Sequence, residues 1–145
     1  MRRHIRGIGI DVVDVKRFAR FLDRNHAWLY RIFSGHEIAR CEAARNRVER
    51  YAVRFAAKES VVKALETISM FDFLDKYSWA DIEVQVDDLG KPQVVLHGVL
   101  RERVRADGID GVEVSLSHSA TIAMAQVILV GTELRKPREC GDVHR

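Results

Sequence analysis

Two carboxylates in this chain occupy positions where a carboxylate is costly. Glu59 lies in the run Arg54-Phe55-Ala56-Ala57-Lys58-Glu59-Ser60-Val61-Val62-Lys63-Ala64-Leu65, and at about 100° per residue Val48, Ala52, Phe55, Glu59 and Val62 fall on one face of a helix. An acid in an apolar stripe must exchange its water for a cation, a metal ion or hydrogen-bond donors. Lys63, one turn later, offers the ordinary exchange, an i,i+4 ion pair of small energy. Asp11 has no such ordinary explanation. It interrupts the strand pattern Ile5-Arg6-Gly7-Ile8-Gly9-Ile10-Asp11-Val12-Val13-Asp14, and aspartate is a poor strand residue. Asp14, by contrast, fits as the N-cap of the helical pattern Val15, Phe18, Leu22. Two hard oxygen donors from separate elements, with cations nearby, suit a Mg²⁺ shared with a phosphate ligand, although spacing alone does not establish one. Zinc has no comparable signal: the six histidines are scattered and Cys41 and Cys140 stand far apart.

These groups are positioned by a mixture of helix and strand, with the helices crowded into the first half. After the first strand comes a helix from about Val15 to Arg24, then a short aromatic segment with Trp28, Tyr30 and Phe33. Ser34-Gly35-His36-Glu37 has the form of a capping box and opens a helix through Ala44. The long helix carrying Glu59 spans roughly Arg47 to Glu66, and Thr67 to Trp79 reads as an irregular or short helical connection. The second half alternates: Asp81 to Val86, the turn Asp88-Leu89-Gly90-Lys91-Pro92 and Gln93 to Leu96 form a hairpin. Gly98 to Asp107 is helical, Val112 to His118 is a strand, and the apolar run Thr121 to Val130 completes the sheet. The expected fold class is α+β, a compact single domain over residues 1–131 with a long central helix packed on a mostly antiparallel sheet. Residues 132–145 read as a disordered tail.

At 145 residues, with 47% hydrophobic and 31% charged residues, the chain is large enough for one proper core. No apolar run reaches the roughly 18 to 20 residues that span a bilayer, and Met1 to Arg6 lacks the apolar core of a signal peptide. Two cysteines give no disulfide framework, which favours a reducing cytoplasm. A net charge of +3 and a pI near 9.1 are too mild to argue for nucleic acid.

Two weaker signals remain. His118 ends an alternating strand between Ser117 and Ser119, a donor-rich setting that suits a structural hydrogen bond or a phosphate. Arg17, Arg20 and Arg24 form a basic stripe beside the apolar face of their helix, either a solvated face or a dock for an acidic partner.

Taken in order, Ile8-Gly9-Ile10-Asp11 with Arg17-Phe18, then Arg54-Phe55-Ala56-Ala57-Lys58-Glu59-Ser60 with Lys63-Ala64, then Gly90-Lys91-Pro92, then Ser115-Leu116-Ser117-His118 resemble the phosphopantetheinyl transferase superfamily. The short length resembles its compact branch, the holo-acyl-carrier-protein synthases, over about Arg6 to Val130. The resemblance implies the fold of that superfamily. It also implies transfer of 4′-phosphopantetheine from coenzyme A to a serine of apo-acyl carrier protein, with release of adenosine 3′,5′-bisphosphate. By the same analogy Asp11 and Glu59 are Mg²⁺ ligands and Glu59 and Lys63 are catalytic, Lys63 lying near the pyrophosphate. The base for the serine proton stays open between Glu59 acting through a water and a water on the metal. Arg54 and His118 would meet the nucleotide phosphates, Gly90, Lys91 and Pro92 would line the coenzyme A groove, and Arg17, Arg20 and Arg24 would grip the carrier protein. The branch also implies a homotrimer with sites at subunit interfaces, and neither nucleic acid nor membrane as partner.

One motif departs from the family. Where the family often continues Lys-Ala-x-Gly-Thr-Gly, this chain has Lys63-Ala64-Leu65-Glu66-Thr67-Ile68, so the helix is expected to run longer. Glu66 reads either as a third acid near the metal or, in preference, as a solvated helix end. Two rival classes are a non-catalytic basic module binding an acidic protein or nucleic acid, and another Mg²⁺-dependent phosphotransferase. The first leaves Asp11 and Glu59 unexplained, and the second lacks the Gly-x-x-x-x-Gly-Lys-Ser/Thr loop in its common version.

Overall fold

The computed structural model describes residues 2–68 and 77–133. A long first strand, β1 (His4–Asp14), runs directly into α1 (Val15–Arg24), and the Asp14 carboxylate caps that helix by accepting from Arg17 N at 2.8 Å. Three helices follow: α2 (His26–Ile32), α3 (Gly35–Glu42) and the twenty-residue α4 (Arg47–Glu66). The capping box predicted at Ser34 is present with both reciprocal bonds, Glu37 N donating to Ser34 Oγ and Ser34 N donating to Glu37 Oε1. After a 3-10 turn at Trp79–Asp81 come β2 (Ile82–Val86), β3 (Pro92–Leu96), α5 (Gly98–Ala106), β4 (Ile109–His118) and β5 (Ile122–Gly131).

The expected α+β architecture is present, with two details added. The short aromatic segment takes helical form through Trp28 and Tyr30. The strands form two antiparallel sheets, a three-stranded one in the order β1-β5-β4 and the hairpin β2-β3. Most of the connection predicted over Thr67 to Trp79, and residues 134–145 of the predicted tail, lie outside the described residues.

Helix α4 is the axis of the molecule. Tyr51, Ala52, Val53, Ala56, Ala57, Val61, Ala64 and Leu65 are buried along it, so the core surrounds most of its circumference. The predicted stripe through Phe55, Glu59 and Val62 is the half-buried seam of that helix and not its innermost face. On the β1 side the helix lies so close that a Cβ on Gly9 would come within 1.9 Å of Ser60 O, and one on Gly7 within 2.6 Å of Ala64 O. Only glycine permits that approach. A register shift between Ile5 and Gly7 precedes the contact, and from Gly7 onward β1 pairs with β5 without interruption.

Among the described residues nothing covers the other face of the three-stranded sheet. Ile8, Ile10 and Val12 on β1 are 52%, 53% and 55% exposed, and Ile122 and Met124 on β5 lie on the same side.

Candidate active site

Asp11 shares the inward face of β1 with Gly9 and Val13, and is brought to the seam of α4 by the glycine contact below it. Across a cleft of ≈ 630 Å³ stands Glu59, with Arg17, Phe18, Phe21 and Phe55 among the other lining residues. Lys63 does not pair with Glu59 as its spacing suggests. Its Nζ lies 3.0 Å from Asp11 Oδ1 and donates to Ile10 O at 3.2 Å. Strand and helix thereby share one ion pair, and Glu59 is left without a hydrogen bond or ion pair among the described residues.

The electrostatics follow from that arrangement. Burial, then the facing Asp11, push the Glu59 carboxyl above the usual glutamate range; Lys63 opposes them and Glu66 adds to them. The hydrogen bond to Asp11 lifts Lys63 above the ordinary lysine range, so it is cationic at neutral pH. Burial, with Glu59 and Glu66 nearby, pushes the Tyr77 phenol up to about 12. A cleft with two facing carboxylates and a fixed ammonium can accept a dication and hold an anionic substrate. Among the described residues no third acid, histidine or cysteine completes a metal cluster.

The remaining predicted residues occupy other places. Arg54 leaves α4 about 140° round from Glu59, by the helical repeat; it is buried, donates from Nη1 to Arg50 O at 3.2 Å, and its Nε has no partner among the described residues. His118 holds Glu49 of the first α4 turn, Nδ1 to Oε1 at 3.0 Å. Gly90 takes the φ of 81° that its turn requires, Lys91 N donates to the Asp87 carboxylate at 2.8 Å, and Pro92 begins β3 opposite Val86. None of these residues lines the Asp11–Glu59 cleft. Arg17, Arg20 and Arg24 line an adjoining groove with Phe21 and Asn25, and Arg17 and Phe21 border both concavities.

Sequence reasoning missed one arrangement altogether. Lys58 and Glu37 are each 0% exposed and form an ion pair of 2.8 Å. A signal was available, because Lys58 shares a helical face with Tyr51, Arg54, Val61 and Leu65 and is as misplaced there as Glu59 is on its own face.

Glu66 extends α4 to the predicted length and is partly buried. With no described hydrogen bond or ion pair, its influence reaches Glu59 and Lys63 only through charge. Glu66→Ala should therefore change turnover by no more than about twofold, the scale of a weak charge effect. A loss comparable to that of Glu59→Ala in a steady-state assay would make it part of the site.

No described helix is long and apolar enough to cross a membrane. The sequence profile of the 4′-phosphopantetheinyl transferase superfamily matches residues 7–125. A relative named holo-[acyl-carrier-protein] synthase from Geobacter sp. (strain M21) is 43% identical over 126 residues, 86% of this chain and 98% of the relative. One of the same name from Clostridium acetobutylicum is 38% identical over 125 residues, 86% of this chain and 97% of the relative. Among solved structures, the coenzyme A complex of the Chronobacterium ammoniagenes ACPS superposes with a TM-score of 0.79 at 27% identity, covering 92% of this chain and all of that one. The Bacillus anthracis holo-(acyl-carrier-protein) synthase in complex with CoA (3′,5′-ADP) gives 0.69 at 33% identity, covering 88% and 98%.

Proposed function

The chain belongs to the 4′-phosphopantetheinyl transferase superfamily, and from that membership we propose that it transfers 4′-phosphopantetheine from coenzyme A to a serine hydroxyl of an apo-acyl carrier protein, in a Mg²⁺-dependent reaction that releases adenosine 3′,5′-bisphosphate. The observation that carries this reading is Glu59, a desolvated carboxylate without a hydrogen-bond or ion-pair partner among the described residues, facing Asp11 across an open cleft.

The donor set suits a hard cation: two carboxylates, neither sulfur nor imidazole, and space beside them for water and phosphate oxygens. Held by Asp11 and Glu59, Mg²⁺ would supply charge neutralisation at the pyrophosphate. In the transfer, the serine oxygen bonds to the phosphorus that carries the pantetheine. The bond from that phosphorus to the bridging oxygen breaks, and the oxygen leaves on the bisphosphate. Glu59 is the cleft residue suited to take the serine proton, directly or across a water. Lys63, held cationic by Asp11, serves the departing bisphosphate as a fixed charge and not as a ready proton donor. Phe18, Phe21 and Phe55 form the apolar wall of the cleft.

We assign Arg54 and His118 to the nucleotide phosphates and the Gly90-Lys91-Pro92 turn to the coenzyme A groove. Within one chain these lie apart from the cleft, and a homotrimer with sites between subunits accounts for the separation. The exposed apolar patch that β1 and β5 share on this sheet supports that assembly. The free, buried Cys41 fits a cytoplasmic setting.

Arg17, Arg20 and Arg24 dock the acidic carrier beside the cleft. Replacing all three with alanine should raise the KM for carrier protein at least about tenfold while the KM for coenzyme A stays within about twofold, because charge steers encounter with the macromolecule. Equal effects on both substrates would remove the assignment.

Intact-mass spectrometry of an apo-acyl carrier protein incubated with this protein, coenzyme A and Mg²⁺ tests the whole reading. A mass gain of one phosphopantetheine that EDTA abolishes is expected. No gain on carriers of several origins, with folded protein that binds coenzyme A, would overturn the proposed acceptor.

A further inference from the structure

Glu59 is flanked in the chain by two residues that are fully buried and anchored on different sides of α4. Ser60 Oγ lies 3.0 Å from Ala125 O and 2.8 Å from Ala56 O, tying the helix to β5. Lys58 Nζ donates to Glu37 Oε1 at 2.8 Å, to Trp79 O at 3.1 Å and to Ile82 O, so each of its three protons has an acceptor. Glu37 is equally engaged: Oε1 also accepts from Ser34 N at 3.0 Å, and Oε2 from Val84 N at 3.1 Å. One buried pair thus joins α3, the 3-10 turn and β2 to the residue next to Glu59.

Such a pair adds little net stability, because desolvating two ions offsets most of their attraction and apolar replacements are often neutral. Its distinctive contribution is directional. Adjacent helical residues point about 100° apart, so a fixed Lys58 fixes the direction of Glu59. The same node reaches the cleft wall by a second route: Trp79, whose carbonyl receives Lys58, packs its ring 5.9 Å from that of Phe55, which lines the cleft.

We propose that Lys58, seated on Glu37, is a positioning residue for the transfer reaction, setting the rotation of α4 that aims Glu59 at Asp11. The proposal rests on the reading of Asp11 and Glu59 as the Mg²⁺ site.

The test uses Lys58→Met and the double variant Lys58→Met with Glu37→Gln, which removes both buried charges. Bound Mn²⁺ is counted by electron paramagnetic resonance, coenzyme A affinity by calorimetry, turnover by the mass assay and folding by circular dichroism. The expected result is a folded double variant whose Mn²⁺ affinity and kcat each fall at least about tenfold, in the range found for residues that orient metal ligands, with coenzyme A affinity within about twofold of wild type. A folded double variant with wild-type Mn²⁺ affinity and kcat overturns the proposal. So does one that cannot fold, which would make the pair a stabilising element only. Wild-type protein that binds no Mn²⁺, or binds it equally after Asp11→Ala, overturns the metal reading instead.

Discussion

Glu59→Gln should move activity and stability in opposite directions. Turnover is expected to fall at least about a thousandfold, the scale of losing a group that stabilises charge in the transition state. The metal-free variant should nevertheless melt a few degrees above metal-free wild type. Glu59 faces Asp11 with no hydrogen bond of its own among the described residues, and the fold holds its carboxyl above the ordinary value of 4.5. A folded state that binds a proton more tightly than the unfolded chain is most favoured below the ordinary carboxylate range. That contribution is lost as pH rises through the raised value, leaving its full penalty at neutral pH. The neutral amide carries no such penalty, so the two proteins should have similar midpoints in acid and diverge toward neutrality. Mg²⁺ should reverse the order, since a ligand at a hundred times its dissociation constant stabilises by about 2.7 kcal/mol and the variant would lack half the site. Thermal melts with and without Mg²⁺ across pH, beside the mass assay, measure all of this. A variant with normal turnover and a normal response to Mg²⁺ would end the case for Glu59 as ligand and base.

Ile8→Glu should convert the proposed trimer into single chains and cut transfer at least about a hundredfold. Ile8 lies on the uncovered sheet face, 52% exposed in the single chain and opposite Ile128 of β5, so a glutamate there is compatible with the fold. In a trimer that buries this face, three carboxylates would be desolvated without partners, at several kcal/mol each. Light scattering should give wild type a mass about three times the 16.6 kDa chain and the variant a mass near one chain, with an unchanged circular dichroism spectrum. Turnover should drop at least about a hundredfold if separate subunits supply the nucleotide and metal halves of the site. A monomeric variant of full activity would place the complete site within one chain.

Sequence and structure agree most closely where the signal is local. Helices α1 and α4, the Ser34 capping box, the Asp14 cap and the β2-β3 hairpin were all legible, because propensity, caps and turn chemistry act over a few residues. The misplaced acids were legible as well, since a charge on an apolar face or inside a strand breaks a local pattern. Partners were not. Lys63 reads as the helical partner of Glu59 until β1 brings Asp11 within 3.0 Å, and Lys58 has no assigned partner until Glu37, 21 residues earlier, meets it in the core. The identity of each partner depends on contacts between elements that no short window contains. The division into two sheets was hidden for the same reason, as strand patterns do not state which neighbour a strand takes.

The glycine contact between β1 and α4 makes the beginning of the chain unequal in its tolerance of length change. Removing one residue between Gly7 and Asp11 would turn the strand over on one side of the gap, either pointing Asp11 away from the cleft or setting a side chain where a glycine now meets α4, and even a single carbon at Gly9 lies 1.9 Å from Ser60 O. Removing one before Gly7 falls where the ladder already shifts register, between Ile5 and Gly7, and leaves the remainder in place. Among the described residues, a deletion at Arg6 gives up that residue's bonds to the carbonyls of Asp107 and Thr132. Insertions and deletions inherited by descendants of this sequence should therefore accumulate ahead of Gly7 and be absent between Gly7 and Asp11.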